Sequence, residues 1–141
     1  MTISSSKLLK HLHEHLYCKL GVSPVHGIGV FAIRSIEKGS YPLRTLLKYE
    51  DINIKPDEIK KLPQSLRKII NTFCYVNAKR VEIPSIGLNT MHLSLYLNHS
   101  KEPNLRFNSD GELVAIRKVS SGKELFIDYD ISFGENHDFD H

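Results

Sequence analysis

Turn sequences divide this chain into segments that are long enough only for short strands. Glycine-containing turn signals recur at residues 23–27 (SPVHG), 35–40 (SIEKGS), 108–111 (NSDG) and 120–123 (SSGK). The segments that follow them are rich in β-branched and aromatic residues, as in GVFAIR at 29–34. Since turns of this kind join neighbouring antiparallel strands, we expect a hairpin around 108–111 and a protein built mainly of short strands.

Two segments instead follow the helical period. Serines at 4–6 suit a helix N-cap, and Leu8, Leu9, Leu12 and Leu16 recur after them at helical spacing. Between about residues 55 and 75, Pro63 suits a first helical turn, and an apolar stripe follows: Leu66, Ile69, Ile70 and Phe73. The patterns predict a helical N-terminal extension over 1–15 and a helical insert near 55–75.

The pattern of the remaining chain predicts strands and loops. Strands are predicted over residues 17–22, 41–49, 91–97, 104–107, 112–118 and 124–129, with a polar loop at 98–104. A chain of 141 residues is long enough for one ordinary domain with its own core. We therefore predict an α+β fold that is mostly β, with its main domain at 16–132 and a tail at 133–141.

Composition limits the classes of function. The 19 basic residues are scattered and balanced by 16 acidic ones, so direct nucleic-acid binding is not predicted. The only cysteines, Cys18 and Cys74, are far apart and form no CxxC pair, which favours a reducing compartment. No apolar run approaches the roughly 18 residues that span a bilayer. We expect an intracellular protein without membrane contact, cytoplasmic or, in a eukaryotic or viral setting, nuclear.

Three short segments carry the candidate chemistry: HGIGVFA at 26–32, LNHSKEPN at 97–104 and GKELFIDYD at 122–130. Each has a purely structural explanation, as a tight turn, a locally capped loop and a strand that ends in a buried tyrosine. The GxG of the first segment lacks the third glycine and the following helix of a dinucleotide fingerprint.

Metal chemistry is the weaker alternative. His11 and His15 would share one face of the N-terminal helix, and His137 and His141 lie in an acidic tail. No carboxylate or further histidine clearly completes a closed site around either group. No metal site is therefore predicted.

The order and spacing of the three segments resemble the SET domain of protein lysine methyltransferases. The matching residues are HGIGVFA with the following IEKG turn, NHSKEPN, and GELVAIRKVSSGKELFIDY, within about residues 16–132. The sequence is most similar to minimal, stand-alone SET proteins of viral or bacterial type. The resemblance implies a β-clip of several small sheets with a C-terminal pseudoknot, which brings 97–104 and 124–129 together beside the glycine turn.

The resemblance also implies S-adenosylmethionine as the cosubstrate. The backbone of Gly27, Ile28 and Gly29 would lie against its methionine end, where a missing Cβ permits close approach. Asn98 would hydrogen-bond the amino-acid end, and the main chain of His99 would contact the adenine edge.

Catalysis and substrate binding are implied for three aromatic residues. Tyr129 matches the catalytic tyrosine, whose hydroxyl orients the transferring methyl group and the incoming lysine nitrogen. Tyr96 and Phe133 are candidate walls of the channel for the lysine side chain. The implied partner is a protein that presents a lysine, with a histone as one candidate.

The sequence departs from larger relatives in two ways. Lys101 occupies a position where those relatives often carry cysteine, and no cysteine follows Tyr129, so a zinc-binding lid is not encoded here. Either Phe133 and the tail or a second subunit of a homodimer must then close the lysine channel. The alternative function is a β-clip binding module that retains the fold without turnover.

Overall fold

The computed structural model describes residues 2–133, with Phe133 described for its backbone only. Its helices are α1 (Ser5–His15), α2 (Pro56–Lys60), α3 (Gln64–Phe73), α4 (Tyr129–Phe133) and a 3-10 helix (Leu93–Tyr96). Its strands are β1 (Cys18–Val22), β2 (Ile28–Ala32), β3 (Asp51–Ile54), β4 (Tyr75–Val76), β5 (Val81–Pro84), β6 (Asn98–His99), β7 (Leu105–Phe107), β8 (Leu113–Ala115) and β9 (Glu124–Ile127). The prediction of a mostly β protein of several small sheets is confirmed.

The chain divides into two compact units, Met1–Leu46 with Tyr96–His141, and Leu47–Leu95. The first unit is organised by a four-stranded sheet in the order β1-β2-β9-β6. Strand β2 runs antiparallel to β1 and β9, and the fully buried side chains of Val30 and Leu125 lie at paired positions on β2 and β9. The short strand β6 instead runs parallel to β9.

The predicted hairpin at residues 108–111 is confirmed. Strands β7 and β8 pair antiparallel on either side of it, with Leu105 opposite Ala115. The side-chain oxygen of Asn108, Oδ1, accepts the backbone N–H groups of Asp110 at 2.9 Å and Glu112 at 3.0 Å. The hydrogen bonds of such an asparagine turn join residues two to four positions apart, which explains why the local sequence predicts it.

The second unit contains the sheet β3-β5-β4 and the helices α2 and α3. Its core is formed by Ile59, Ile70 and Val81, one residue from each helix and one from β5. The helical period predicted near 55–75 is present as two helices, because Pro63 has no N–H group and stands as the N-cap of α3. The three strands of this unit have no counterpart in the predictions.

Helix α1 confirms the predicted capped helix at the N-terminus. The Ser4 hydroxyl oxygen accepts the backbone N–H of Lys7 at 3.2 Å, as expected for an N-cap serine. No residue of α1 is buried, and its leucines remain between 41% and 64% exposed, with Leu16 beyond its end at 44%. The apolar period therefore predicted the helix but not burial of its apolar face.

Two strand predictions are wrong. Residues 41–49 form turns, because Pro42 offers no N–H group to a strand partner. Residues 91–97 contain the 3-10 helix instead of a strand. His92 starts that helix: its Nδ1 accepts the N–H of Ser94 at 3.1 Å, and its carbonyl accepts the N–H of Leu95 at 3.1 Å. These local bonds compete with strand pairing.

The last predicted strand also ends earlier than expected. Strand β9 stops at Ile127, and the Asp128 carboxylate accepts the backbone N–H of Asp130 at 2.9 Å at the start of α4. Tyr129 is therefore the first residue of a short helix and not the end of a strand. Among residues 2–133, no helix combines the length and the apolar character that a membrane crossing requires.

Candidate functional site

The three motif segments converge within the first unit. Parallel pairing places Asn98 opposite Phe126 and His99 opposite Ile127, so the polar loop begins beside the C-terminal end of β9. The Asn98 side chain in turn donates from Nδ2 to the carbonyl oxygen of His26 at 2.9 Å. Residues 72 positions apart are thereby joined, and the glycine turn, the polar loop and the start of α4 form one site.

The turn before β2 is closed by backbone and side-chain bonds. The N–H of Ser23 donates to the carbonyl of Gly27 at 2.8 Å, and the Ser23 hydroxyl oxygen accepts the N–H groups of Val25 and His26 at 3.0 and 3.2 Å. Gly27 has φ of 49°, and no atom lies within 4 Å of the point where a Cβ would stand. Gly27 is needed for its left-handed backbone and not for lack of space.

Gly29 is a glycine for a different reason. A Cβ built there would lie 2.9 Å from Glu124 Cδ, closer still to Glu124 Oε2, and 3.2 Å from Asn98 Nδ2. Gly29 is itself buried and paired with Gly21 in the sheet. A buried carboxylate of the protein therefore fills the space beside this glycine, and close approach of a ligand is not needed to explain it.

Asn98 is only 6% exposed and its amide group has a defined orientation. Nδ2 donates to the carbonyl of His26 and, also at 2.9 Å, to Oε2 of Glu124, and it lies 3.4 Å from the carbonyl of Ile28. Backbone carbonyls only accept hydrogen bonds, so the nitrogen of the amide must face them. Within residues 2–133 the Oδ1 atom has no partner, yet it is not sealed from solvent.

Tyr129 is half-buried, and its hydroxyl donates to the backbone carbonyl of Leu97. Burial raises the pKa of Tyr129 to about 12, so the phenol is neutral at any physiological pH. Its backbone N–H donates to Nδ1 of His99 at 3.0 Å, and the two rings lie 5.3 Å apart. The polar loop thus fixes both ends of this tyrosine.

His99 contributes its ring to the packing of Tyr129. Because Nδ1 accepts the Tyr129 N–H, the proton of a neutral His99 ring is on Nε2. The next residue, Ser100, donates its backbone N–H to the carbonyl of Ile127 at 3.0 Å. The Asn104 side chain accepts the N–H of Phe126 and donates to the Glu124 carbonyl. The polar loop is therefore hydrogen-bonded to β9 from Glu124 to Ile127.

A family model for the SET domain matches residues 27–130, more than half of the 141-residue chain. This chain belongs to the SET domain family. The match begins at Gly27, the last residue of the glycine turn, and includes the polar loop and Tyr129. The resemblance read from the three motifs is confirmed.

Solved structures agree on the SET fold. A Plasmodium falciparum protein named as a candidate histone methyltransferase superposes with a TM-score of 0.51 at 18% identity, covering 86% of this chain and 99% of that one. A humanized mutant of the Chaetomium thermophilum Polycomb Repressive Complex 2, bound to the inhibitor GSK126, gives a TM-score of 0.53 at 24% identity. That match covers 84% of this chain but only 15% of the other.

The two candidate channel residues of the SET domain are placed differently. Tyr96 ends the 3-10 helix, is half-buried, and directly precedes Leu97, whose carbonyl accepts the Tyr129 hydroxyl. Phe133 ends α4, and its side chain, like His137, His141 and the rest of the tail, lies outside the described residues.

Acidic groups surround the start of α4. Among the described residues, His99, Asp128 and Asp130 could offer three metal ligand atoms within 4.8 Å of one another. The ammonium group of Lys101 already forms an ion pair with Asp130 and lies 3.8 Å from Asp128 Oδ1, and the bond to Asp130 raises the pKa of Lys101. Lys101 thus joins the polar loop to α4 at the position where larger relatives often have cysteine.

His11 and His15 lie apart from this group on α1, with ring centroids 5.4 Å apart.

Two residues of the site were not predicted from the sequence. The Glu124 carboxylate is 9% exposed and accepts both the Asn98 amide and the Ser23 hydroxyl, the latter at 2.8 and 3.0 Å. An acidic residue at the start of the otherwise apolar strand ELFI was the available signal for Glu124. Ser23 carried no signal beyond that of an ordinary turn serine.

Proposed function

We propose that this chain is an S-adenosylmethionine-dependent methyltransferase that acts on the side-chain amine of lysine in a protein. The observation that carries the proposal is the pairing of β6 with β9, which brings Asn98 and the Tyr129 hydroxyl to the same loop within a SET fold. An acceptor for the cosubstrate and an oriented phenol are groups that such a reaction uses.

Lysine must lose a proton before it can accept a methyl group. With an ordinary pKa of about 10.4, roughly 0.04% of a free lysine is neutral at pH 7, which corresponds to about 4.6 kcal/mol. Desolvation in a channel and repulsion by a nearby sulfonium both lower the pKa of a lysine. A dedicated carboxylate base is therefore not required, and alignment of amine and methyl is the main task of the protein.

Tyr129 suits alignment and not proton abstraction. Its pKa of about 12 means that it does not act as a phenolate near pH 7. Its hydroxyl donates its hydrogen to the Leu97 carbonyl, so toward a substrate the phenol oxygen acts as an acceptor that can orient a polarised methyl group or an incoming amine. Tyr129 is the proposed catalytic residue on this basis.

The residues present fit the amino-acid end of S-adenosylmethionine. The cosubstrate supplies an electrophilic methyl group and carries an α-ammonium group. The acceptor Oδ1 of Asn98, which is not sealed from solvent, suits a donor of that kind. The exposed backbone of Gly27 and Ile28 and the main chain of His99 are the further proposed contacts. No zinc or other metal is part of the proposed mechanism.

The substrate is proposed to be a protein, with histones among the candidates. Tyr96 and Phe133 are the proposed channel residues, and closure by the tail or by a second copy of the chain is part of the same proposal. Recognition of nucleic acid or a membrane is not, and the proposed location is the cytoplasm, or the nucleus in a eukaryotic or viral setting. A binding module without turnover is the second candidate function, favoured by the Leu97 carbonyl already holding the Tyr129 hydroxyl.

The test is incubation with methyl-labelled S-adenosylmethionine and candidate proteins, including histones and a cell lysate, for the parent and for Tyr129→Phe. We expect labelled lysine with the parent and a loss of at least about tenfold with Tyr129→Phe. Tyr41→Phe is the matched control, because the Tyr41 ring packs under Arg44 at 4.1 Å and keeps that contact without its hydroxyl.

Equal labelling by the parent and Tyr129→Phe would remove the role proposed for Tyr129. Cosubstrate binding by the parent without transfer to any protein would favour the binding module.

A further inference from the structure

The buried carboxylate of Glu124 lies between two neutral donors. The Ser23 hydroxyl, 101 positions away in sequence, donates to it at 2.8 Å from Oε1 and 3.0 Å from Oε2, and the Asn98 amide donates to Oε2 at 2.9 Å. Within residues 2–133, no basic side chain comes within ion-pair distance of Glu124. Burying a carboxyl group without a cation is costly unless hydrogen bonds compensate, so the two donors that meet this group are its main stabilising contacts.

Both neighbours can only donate to this position. The Ser23 oxygen already accepts two backbone N–H groups, from Val25 and His26, which uses both of its lone pairs and leaves only its hydrogen for Glu124. The Asn98 nitrogen must face the carbonyl of His26, so it too presents a hydrogen to Glu124. Oε2 accepts from Asn98 and lies 3.0 Å from the Ser23 hydroxyl, which also reaches Oε1 at 2.8 Å. Both terminal atoms at position 124 therefore face donors, which suits the two oxygens of a carboxylate and not the NH₂ group of an amide.

We propose that Glu124 is a positioning residue that holds the Asn98 amide so that only Oδ1 faces the cosubstrate. This inference rests on the proposed function and adds a specificity to it. Both Nδ2 hydrogens are engaged by the protein, so the Asn98 atom that remains for a ligand is the acceptor Oδ1, which selects a ligand that offers a donor. The ligand group it selects is the protonated α-amino group of the cosubstrate, not its carboxylate.

Replacing Glu124 by glutamine creates a conflict of known direction. If the glutamine oxygen accepts from Ser23, its NH₂ group faces the NH₂ group of Asn98, and the Asn98 amide must rotate or move away. If the glutamine turns the other way, its NH₂ group faces a Ser23 oxygen that has no lone pair left. Removing the Ser23 hydroxyl lifts the conflict, because the glutamine oxygen can then face Asn98 alone.

The experiment measures binding of S-adenosylhomocysteine and of its analogue without the α-amino group, by titration calorimetry. The proteins are the parent, Glu124→Gln, Ser23→Ala and the double variant, and Glu112→Gln is the control, since Glu112 pairs with Arg44 on the surface. Melting curves establish that each variant is folded.

We expect the parent to prefer the ligand with the amino group by about 10- to 100-fold, as for a hydrogen bond to a charged donor. Glu124→Gln should lose most of this preference, whereas Ser23→Ala and Glu112→Gln should keep it. The double variant should regain part of the preference that Glu124→Gln loses. A general weakening of the structure would instead reduce the affinity for both ligands alike.

The outcomes separate the two proposals. An unchanged preference in Glu124→Gln, or a double variant no better than Glu124→Gln, overturns the positioning role alone. If Glu124→Gln does not fold, the double variant still decides: it should keep a preference for the ligand with the amino group, and its absence there overturns the positioning role. A parent protein that binds neither ligand overturns the proposed function and the inference with it.

Discussion

Adding a methyl group at Gly29 tests how tightly the candidate site is built. In Gly29→Ala the new Cβ would lie 2.9 Å from Glu124 Cδ and 3.2 Å from Asn98 Nδ2, both shorter than ordinary contacts. Strand β2 is held by β1 on one side and β9 on the other, so its backbone has little freedom to move away. Glu124 must therefore give way.

The cost of Gly29→Ala has two parts. Overpacking of this kind costs about 1–3 kcal/mol, and a buried donor that loses its acceptor costs about 1–3 kcal/mol more. The lower backbone entropy of unfolded alanine returns about 0.5–1 kcal/mol. Taken at their midpoints, these parts lower the free energy of unfolding by about 3 kcal/mol, measured by denaturant titration, and we expect cosubstrate affinity to fall with it.

Gly27→Ala is the matched control for the same chemical change a short distance away. Its Cβ would meet nothing within 4 Å, and only its left-handed φ of 49° is unfavourable, at about 1–2 kcal/mol. In a Glu124→Ala background the cost of Gly29→Ala should nearly disappear, because the methyl group then has room. A cost no larger than that of Gly27→Ala, or one unaffected by Glu124→Ala, would refute the steric argument.

Two further predictions concern the core of the second unit and the titration of the site. Ile70→Ala should lower the free energy of unfolding by about 2–4 kcal/mol, whereas Leu66→Ala on the same helix, at 49% exposure, should change it by less than about 1 kcal/mol. Denaturant titration of both variants measures this, and equal effects would contradict the assigned core. Because the folded-state pKa of Tyr129 is raised from 10.0 to about 12, the unfolded chain loses this proton first, and the parent should lose stability relative to Tyr129→Phe as the pH rises from about 10 to 12. Denaturation across that range measures the difference, and a constant difference would show that burial does not hold the phenol neutral.

Local patterns predicted the elements that stabilise themselves. The Ser4-capped helix, the helical period near 55–75 and the hairpin at 108–111 all depend on bonds between residues a few positions apart. The same logic failed where a local bond competed with the apolar pattern, as with His92, whose ring and carbonyl start a 3-10 helix in place of a strand. The apolar pattern of α1 predicted a helix, but a pattern does not say whether another surface covers it.

By itself, the sequence determined the family, the order of the three motifs and the candidate residues Asn98 and Tyr129. Each of these can be recognised from residue types at a given spacing. Only the tertiary structure decided what those residues can do. Ser23 and Glu124 are 101 positions apart, and His26 and Asn98 are 72 apart, so no local period encodes their contacts. The pairing of β9 with β2 and with β6 brings them together. The hydrogen-bonding capacity of each neighbour then leaves the Asn98 oxygen as the acceptor without a partner among residues 2–133.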